Sequence, residues 1–422
     1  GQDRLPKESS VSFDHLPLLL KDGGLRKQIE IREEGILLKG IEGQKDWFIH
    51  KEEYASTKSL FSHHSSADIL KLLEQKGTSP WNDSIVTHAQ LLPQKKVLAD
   101  SAKVLPLAGI KVALDPGHIA ANMEIAELEG KYVKMAPSSS NQQERIEFFE
   151  ARLNLATAHL IREELEEMGA KVLMTRSEGG ISTFGMDYWT WKEEKWDSTL
   201  KTAELNGDLS EEQARYYRSK APEDKIFNHF YVREDLRNRA KLVNEFAPDL
   251  TIIIHYNVHA PNWMKRNDAG EFTPTEANYA MAFVPGAFME GELDQELDRV
   301  DFLRLLLFPE DVYASIRLSD LFLKYSKDLT GVERVKEAEG LSYLDKACVL
   351  TDYQGVYARN LSLSRMIKGP LVYGESLCQD NAAESLMLNK KELEVEGIWV
   401  SDRVKAVAES YVKAVRDYIR KS

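Results

Sequence analysis

The stretch 111-KVALDPGHIA-120 decides how this chain is interpreted, because a short apolar run stops at Asp115, Pro116 and Gly117 and leaves His118 beyond its end. Such a run is typical of a strand buried within a parallel sheet. Proline and glycine interrupt regular structure, so a turn is expected directly after the strand. In open α/β sheets, ligands bind beyond the carboxyl ends of the strands. The stretch therefore predicts a buried strand that presents a histidine where a site would form.

From residue 111 onward, strand-like runs alternate with amphipathic helical sequence, which is typical of a mostly parallel sheet. Strands are predicted at 111–115, 170–176, 249–257, 278–286 and 370–375. Helices are predicted at 148–169, 234–246, 312–329 and 401–419. The helix at 148–169 has one apolar face and ends at Gly169. We therefore predict an α/β fold, a three-layer sandwich whose mostly parallel twisted sheet is flanked by helices.

Residues 1–105 are predicted to form a small α+β N-terminal unit of unknown role. The sequence IEIREEGILLKGI alternates like a pair of half-buried strands, and SADILKLLEQKG has helical spacing. A connector at 91–109 leads to the strand at 111. Residues 106–422 are predicted to be the catalytic domain, interrupted by insertions at about 177–232 and about 286–308.

The overall charge excludes one class of partner. The chain has 68 acidic and 55 basic residues and a net charge of -13, which argues against broad binding to nucleic acid.

No apolar run reaches the roughly 18 residues that a transmembrane helix needs. The chain begins GQDRLPKESS, without the segments of a secretory signal, so we expect either a cytosolic protein or a mature form. Cys348 and Cys378 form no zinc or disulfide pattern, and two buried thiols are expected.

Three predicted strands end in residues that can carry chemistry, namely His118, His255 and Glu375. Two neutral imidazoles and a carboxylate form a typical catalytic zinc site, in which a fourth position stays open for water. The chain contains no HExxH motif, which excludes a helical zincin site. A third ligand could come from Glu150 in the first turn of the next helix. On spacing alone, a surface carboxylate favoured by the helix dipole is the stronger interpretation of Glu150.

Taken in chain order, these motifs resemble the zinc-dependent N-acetylmuramoyl-L-alanine amidases of the type-3 class. The matching residues are Asp115, Pro116, Gly117 and His118; Glu150 with Asn154; Thr175 with Arg176; Arg239 with Asn244; His255 with Asn257; and Pro370 with Glu375. The segment GVYARNLSLSR, which ends at Arg365, and Asn381 extend the resemblance. It covers most of residues 108–420. Single motifs are weak, but their joint order is specific.

The resemblance implies that zinc is bound by His118, Glu150 and His255, and that Glu375 is the catalytic glutamate. It implies that a further set of residues supports the ligands or binds substrate: Asp115, Asn154, Arg176, Arg239, Asn257 and Arg365. The implied substrate is peptidoglycan, cut at the amide between N-acetylmuramic acid and L-alanine. The implied location is extracytoplasmic, either periplasmic or secreted, in a bacterium.

Elementary chemistry agrees with a role for Glu375. A carboxylate at the end of an apolar strand is costly unless it has a partner. Glu375 could take a proton from water and return it to the leaving amine. Asp115 is expected to brace either the turn or the second nitrogen of His118.

The chain departs from the family after His118, where Ile119 and Ala120 replace the usual glycines and the path to the third ligand is longer. This path contains Glu124, Glu127, Glu129, Glu144 and Glu147. Glu147 is the strongest rival to Glu150, although it lacks an asparagine four residues on. His259 is expected to be a loop or supporting residue, because the run before it is strand-like.

The insertions leave alternatives open. Trp189, Trp191 and Trp196 could stack on sugar rings, but the favoured interpretation is that they anchor the first insertion to a core of its own. The second insertion could cover the metal as a lid, and an activator protein acting on the insertions is a hypothesis. Two other functions stay open: a zinc peptidase or amidase for a different amide, and a non-catalytic wall-binding protein that kept the fold. The intact ligand set argues against the last.

Overall fold

The computed structural model describes residues 11–81, 105–137, 144–260, 266–336 and 341–422. Most of the predicted connector at 91–109 lies outside these residues. The chain divides into two compact units. The first unit comprises 1–102, 283–316 and 341–366, and the second comprises 103–282, 317–340 and 367–422. The assignment of 1–105 to a unit of its own stays a prediction, and in the structure two later segments fold with this part of the chain.

The strands are β1 (Ile29–Ile31), β2 (Gly35–Leu38), β3 (Trp47–His50), β4 (Lys111–Pro116), β5 (Tyr132–Met135), β6 (Ile146–Phe149), β7 (Lys171–Met174), β8 (Leu250–Asn257), β9 (Met281–Val284), β10 (Cys348–Leu350), β11 (Val356–Arg359), β12 (Leu371–Cys378), β13 (Leu393–Val395) and β14 (Ile398–Val400). The α-helices are Leu16–Leu19, Tyr54–His63, Ser66–Lys76, Met123–Glu129, Glu150–Glu167, Tyr188–Leu205, Glu211–Ser219, Glu223–Ile226, Val232–Phe246, Glu296–Leu307, Pro309–Thr330, Ser342–Ala347, Ser362–Met366, Ala382–Leu388 and Asp402–Arg420. None of the described helices combines the length and the apolar character needed to cross a membrane.

The largest sheet confirms the predicted fold class. Its seven strands follow the order β10-β11-β9-β12-β8-β4-β7. The strands β12, β8, β4 and β7 are parallel neighbours, whereas β10 and β11 are antiparallel. Every residue of β8 is buried, which explains why its sequence is a continuous apolar run. The α/β architecture with a mostly parallel sheet flanked by helices is thus correct.

Two long helices of the second unit pack together beside the sheet. The helix Glu150–Glu167 contacts β4 and β8, and the helix Asp402–Arg420 packs against it. The hydroxyl of Thr157 in the first helix lies 2.7 Å from the hydroxyl of Tyr256 in β8. A Cβ on Gly374 in β12 would lie 1.8 Å from the Tyr411 hydroxyl, so only glycine admits this helix so close to the strand. The apolar side chains of this last helix, among them Val404, Val407, Val415 and Tyr418, are buried in the core.

The helix predicted at 148–169 begins later than expected. Phe148 and Phe149 end β6, which pairs with β5 in an antiparallel hairpin, and the helix starts at Glu150. Pairing with β5 gives the backbone N–H and C=O groups of β6 hydrogen-bond partners, so these residues do not need to be helical. Gly169 follows the helix with a φ of 93°, as predicted for a glycine that ends it. Cys348 and Cys378 are free and buried, as expected.

The first insertion forms its own aromatic core. Trp191 and Trp196 are buried, and their ring centroids lie 5.9 Å apart. Trp191 also packs against Tyr188 and Tyr231. Trp189 is 44% exposed. The favoured interpretation of these tryptophans as anchors is therefore correct for the two that are buried.

The second insertion packs within the first unit. Its helix Glu296–Leu307 contacts the helices Tyr54–His63 and Ser66–Lys76. The guanidinium of Arg299 lies 3.6 Å from the ring centroid of Trp47 and donates to the carbonyl oxygen of Lys45 at 3.0 Å. The cation–π contact and the hydrogen bond stabilise the buried guanidinium of Arg299, so this charged side chain can lie in the core. A lid role for this insertion stays a prediction.

Candidate metal centre

Three side chains meet at the carboxyl edge of the parallel strands. His118 lies two residues beyond β4, His255 lies in β8 next to it, and Glu150 is the first residue of its helix. One ligand atom from each of the three lies within 4.8 Å of the others. His118 Nε2 is 3.4 Å from Glu150 Oε2, and His255 Nδ1 is 3.1 Å from Glu150 Oε1. Within the described ranges, no other group of three or more His, Cys, Asp or Glu residues has ligand atoms close enough together to hold a metal ion.

The two histidines and Glu150 influence one another's protonation. Burial opposes a charged His118, but the carboxylates of Glu150 and Glu129 outweigh it and raise the His118 pKa to about 9. Burial would raise the Glu150 pKa, yet His118 holds it well below its usual value. Burial lowers the pKa of His255. Glu150 is therefore ionised beside a neutral His255, and a metal at this position would have to displace the proton that the carboxylates hold on His118.

Glu150 is held in place by its neighbours. It is 2% exposed, and its Oε1 accepts hydrogen bonds from the Tyr256 backbone at 3.1 Å and from Asn154 Nδ2 at 3.4 Å. The same Asn154 amide donates to the Gly117 carbonyl at 3.0 Å. Asn154 thus links the helix to the turn that carries His118.

The turn after β4 brings two strands into close approach. A Cβ on Gly117 would lie 2.2 Å from His255 Cε1, so any larger residue would displace the imidazole. His118 itself has a φ of 63°, in the left-handed region that non-glycine residues seldom adopt. Strain of this kind costs on the order of 1–3 kcal/mol and persists only where neighbours enforce it.

Two buried arginines enforce the turn. Arg239 donates to the carbonyls of Pro116 at 2.8 Å and His118 at 2.7 Å, while Arg176 donates to those of Pro116 and Gly117, each at 2.9 Å. Arg239 also contacts Asp115 at 3.3 Å. Buried carbonyls need such donors.

Asp115 braces the turn and does not bond the second nitrogen of His118. Its Oδ1 accepts from Thr175 at 2.7 Å and lies by Arg239. The partner of His118 Nδ1 is Glu129, at 3.2 Å. The structure therefore supports the expectation that Asp115 braces the turn, and not the expectation that it bonds His118. In the sequence, Glu129 is one of five glutamates on the path from His118 to Glu150, and the unusual length of that path is the signal that could single it out.

The predicted catalytic glutamate lies beside the cluster. Glu375 in β12 is the register partner of His255 in β8. Residues paired in this way have side chains on the same face of the sheet. Tyr373, two residues earlier in β12, stacks on the His255 ring with centroids 4.5 Å apart. The half-buried Glu375 therefore lies on the same face of the sheet as His255.

The remaining predicted residues differ in their surroundings. Asn257 is buried at the end of β8, where its amide lies 3.9 Å from Cys378 Sγ. Arg365 belongs to the first unit and pairs with Asp298 at 3.1 Å. His259 lies in the loop after β8, 2.8 Å from the Tyr279 hydroxyl. The rival candidate Glu147 is an exposed residue of β6 and lies outside the group formed by His118, Glu150 and His255.

Comparison with known proteins identifies the family. The family model described as N-acetylmuramoyl-L-alanine amidase matches residues 112–398. No curated protein sequence matches the chain significantly. Similar solved structures include the CwlD amidase of Clostridioides difficile in complex with the GerS lipoprotein, at 15% identity, a TM-score of 0.38, and coverage of 74% of this chain and 100% of that one. The apo amidase Ami1 of Mycobacterium abscessus has 16% identity, a TM-score of 0.37, and coverage of 74% and 99%.

The family match spans most of the second unit, including the three clustered residues and Glu375. The resemblance inferred from the motifs is thereby confirmed. The chain belongs to the N-acetylmuramoyl-L-alanine amidase family and is an amidase of that class.

Proposed function

We propose that this protein is a zinc-dependent hydrolase that cuts the amide between N-acetylmuramic acid and the L-alanine of the peptidoglycan stem peptide. The observation that carries the proposal is the group formed by His118, Glu150 and His255 at the carboxyl edge of the sheet. Two imidazoles and one buried carboxylate are a common catalytic zinc sphere. A zinc ion held by these three residues would supply Lewis-acid polarisation of the scissile carbonyl and a lower pKa for a bound water.

The chain's own residues would orient and protonate the reactants. Glu375, on the same face as His255, is suited to accept a proton from the attacking water and to deliver it to the leaving amine nitrogen. The arginines Arg176 and Arg239, with Asp115 and Asn154, would keep the His118 turn in position. Asn257 and Arg365 are proposed to assist substrate binding.

The substrate sets the proposed location and partners. Peptidoglycan lies outside the cytoplasm, so we place the enzyme there, in the periplasm or secreted. The CwlD structure contains a lipoprotein partner, and a protein activator that acts on the two insertions is proposed for this chain by analogy. Nucleic acid is not a proposed partner, because the net charge is -13.

Metal analysis tests the proposed centre. The purified chain should contain about one zinc per molecule, and chelation should lower its thermal unfolding temperature, because a ligand that binds only the folded state stabilises it. Replacing His118 or His255 with alanine should abolish stoichiometric zinc. Wild-type protein with far less than one zinc, or a His118→Ala variant with unchanged zinc content, contradicts the proposal.

Product analysis tests the reaction. Purified muropeptides should release free stem peptide with an N-terminal alanine, detected by mass spectrometry. Glu375→Gln should retain zinc and lose at least about a hundredfold in kcat, since a general acid–base group contributes about 10²–10⁴-fold. Cleavage of other amides alone would favour a peptidase. Equal inactivity of wild type and Glu375→Gln would favour a wall-binding role.

A further inference from the structure

We propose that Glu129 is a positioning residue of the metal centre, which orients His118 so that its Nε2 faces Glu150 and His255. This inference deepens the proposed function and rests on the zinc site described there. Glu129 lies on the segment that lengthens the path from His118 to Glu150, outside the motifs that define the site. Nothing in the sequence motifs assigns it a role.

Glu129 contacts the His118 ring and the backbone that follows it. Its Oε2 lies 3.2 Å from His118 Nδ1, and Oε1 accepts from the Ala120 backbone N–H at 2.6 Å. The Ile119 N–H is 3.2 Å from each carboxylate oxygen. The side chain is only 3% exposed. One carboxylate therefore binds the ring nitrogen and the two amides that follow His118.

This geometry determines which imidazole nitrogen is available to a metal. A carboxylate at Nδ1 favours the tautomer with its proton on Nδ1, which leaves the Nε2 lone pair free to bind a metal. His118 Nε2 is the atom that faces Glu150, at 3.4 Å. Glu129 and Glu150 thus contact different nitrogens of the ring. Glu129 also holds the backbone amides next to the strained φ of His118.

The first insertion supports the helix that carries Glu129. Asn228 Nδ2 donates to the Leu128 carbonyl at 2.9 Å, and the Gly180 N–H donates to the Ile119 carbonyl at 2.6 Å. The helix Met123–Glu129 also packs against the segment Glu223–Tyr231. The added segment after His118 and the insertion at 177–232 therefore act together to hold one carboxylate against one zinc ligand.

Zinc affinity of the full chain tests this role without relying on catalysis. Metal-free protein is titrated with Zn²⁺ against a chromophoric chelator, and Co²⁺-loaded protein is examined by visible absorption. Glu129→Gln should weaken zinc binding about 10–100-fold and change the Co²⁺ spectrum. The matched control is Glu127→Gln, on the same helix, where the glutamate side chain is 46% exposed and pairs with Lys134. This control should bind both metals like wild type.

Unchanged zinc affinity and Co²⁺ spectrum in Glu129→Gln would overturn the inference. Glu129→Asp keeps the charge but withdraws it from the ring, so it should be intermediate, and it decides the question if the glutamine variant does not fold. Wild-type affinity in Glu129→Asp would then overturn the inference. His118→Ala separates the two proposals: if it binds zinc like wild type, the metal centre itself is wrong. Zinc binding through His118 without amidase activity contradicts only the proposed reaction.

Discussion

At the scale of single residues, the site depends on a close approach between two neighbouring strands. Gly117 leaves the space that the His255 ring occupies, and the backbone after it turns through the left-handed conformation of His118. Arg176 and Arg239 satisfy the carbonyls that this turn exposes to the interior. The position of the two histidines is therefore set by steric fit as much as by hydrogen bonding.

Replacing Gly117 with alanine should weaken zinc binding by at least about tenfold, since a supporting change of this size typically costs 10–100-fold. The added Cβ would lie 2.2 Å from His255 Cε1, which forces the imidazole to move. Overpacking should also lower the free energy of unfolding by about 1–3 kcal/mol. Zinc titration and urea denaturation measure the two effects.

Gly23→Ala is the matched control, because a Cβ there would meet no atom within 4 Å. It should leave zinc affinity unchanged. Wild-type zinc affinity in Gly117→Ala would contradict the expectation that the added Cβ displaces the His255 ring from its metal-binding position.

At the scale of elements, the first insertion is a helical subdomain with an aromatic core. Trp191 in the helix Tyr188–Leu205 is 1% exposed and donates through its indole to Glu234 at 3.2 Å. Glu234 lies in the helix Val232–Phe246, which also provides Arg239 to the site. The aromatic core thus adjoins the helix whose Arg239 holds the turn at His118.

Trp191→Ala should destabilise the protein by about 3–5 kcal/mol, because a large buried side chain is lost and its cavity cannot fully collapse. Trp189→Ala, on the same helix, removes a side chain that is 44% exposed and should cost less than about 1 kcal/mol. Chemical denaturation followed by circular dichroism compares the two variants. An equal decrease in the free energy of unfolding in both variants would contradict the claim that Trp191 stabilises the protein through its burial.

At the scale of the whole molecule, three separate parts of the chain form the first unit. Leu20 forms a bridge with Phe288, and His15 Nε2 lies 2.8 Å from the Leu305 carbonyl. Arg299 lies over Trp47, which is fully buried. The N-terminal segment and the second insertion therefore share one core and should unfold together.

Trp47→Ala should raise hydrogen exchange both in β1 to β3 and in the helix Glu296–Leu307, although the two are far apart in sequence. The variant loses a buried aromatic ring and the cation–π contact of Arg299, at a cost of about 3–5 kcal/mol. Exchange measured by mass spectrometry locates the change. Trp399→Ala, where the side chain is 49% exposed, is the control and should have little effect. Increased exchange confined to the N-terminal strands would contradict a shared core.

Much of the fold and the site could be predicted because the relevant signals are local. The buried run ending at Asp115 and the run ending at His255 predicted two strands of one mostly parallel sheet, and the carboxyl ends of parallel strands lie at the same edge. Glu150 was predicted through its place in a family motif, since spacing alone favoured a surface carboxylate. Its burial and its contacts with both histidines depend on β6, which moves the start of the helix to Glu150.

The amino-acid sequence by itself determined the α/β class and five of the seven strands of the largest sheet, because hydrophobic periodicity and turn residues act over a few positions. It did not predict β10 and β11, and β8 and β12 continue past His255 and Glu375, where the strands were expected to end. Only the tertiary structure decided that Glu129 contacts His118, that Asp115 contacts Arg239, and that the second insertion packs with the N-terminal segment. These contacts join residues that are distant along the chain or separated by a turn. Which partners meet there depends on steric fit and on the pairing of buried charge, and neither leaves a periodic pattern in the sequence.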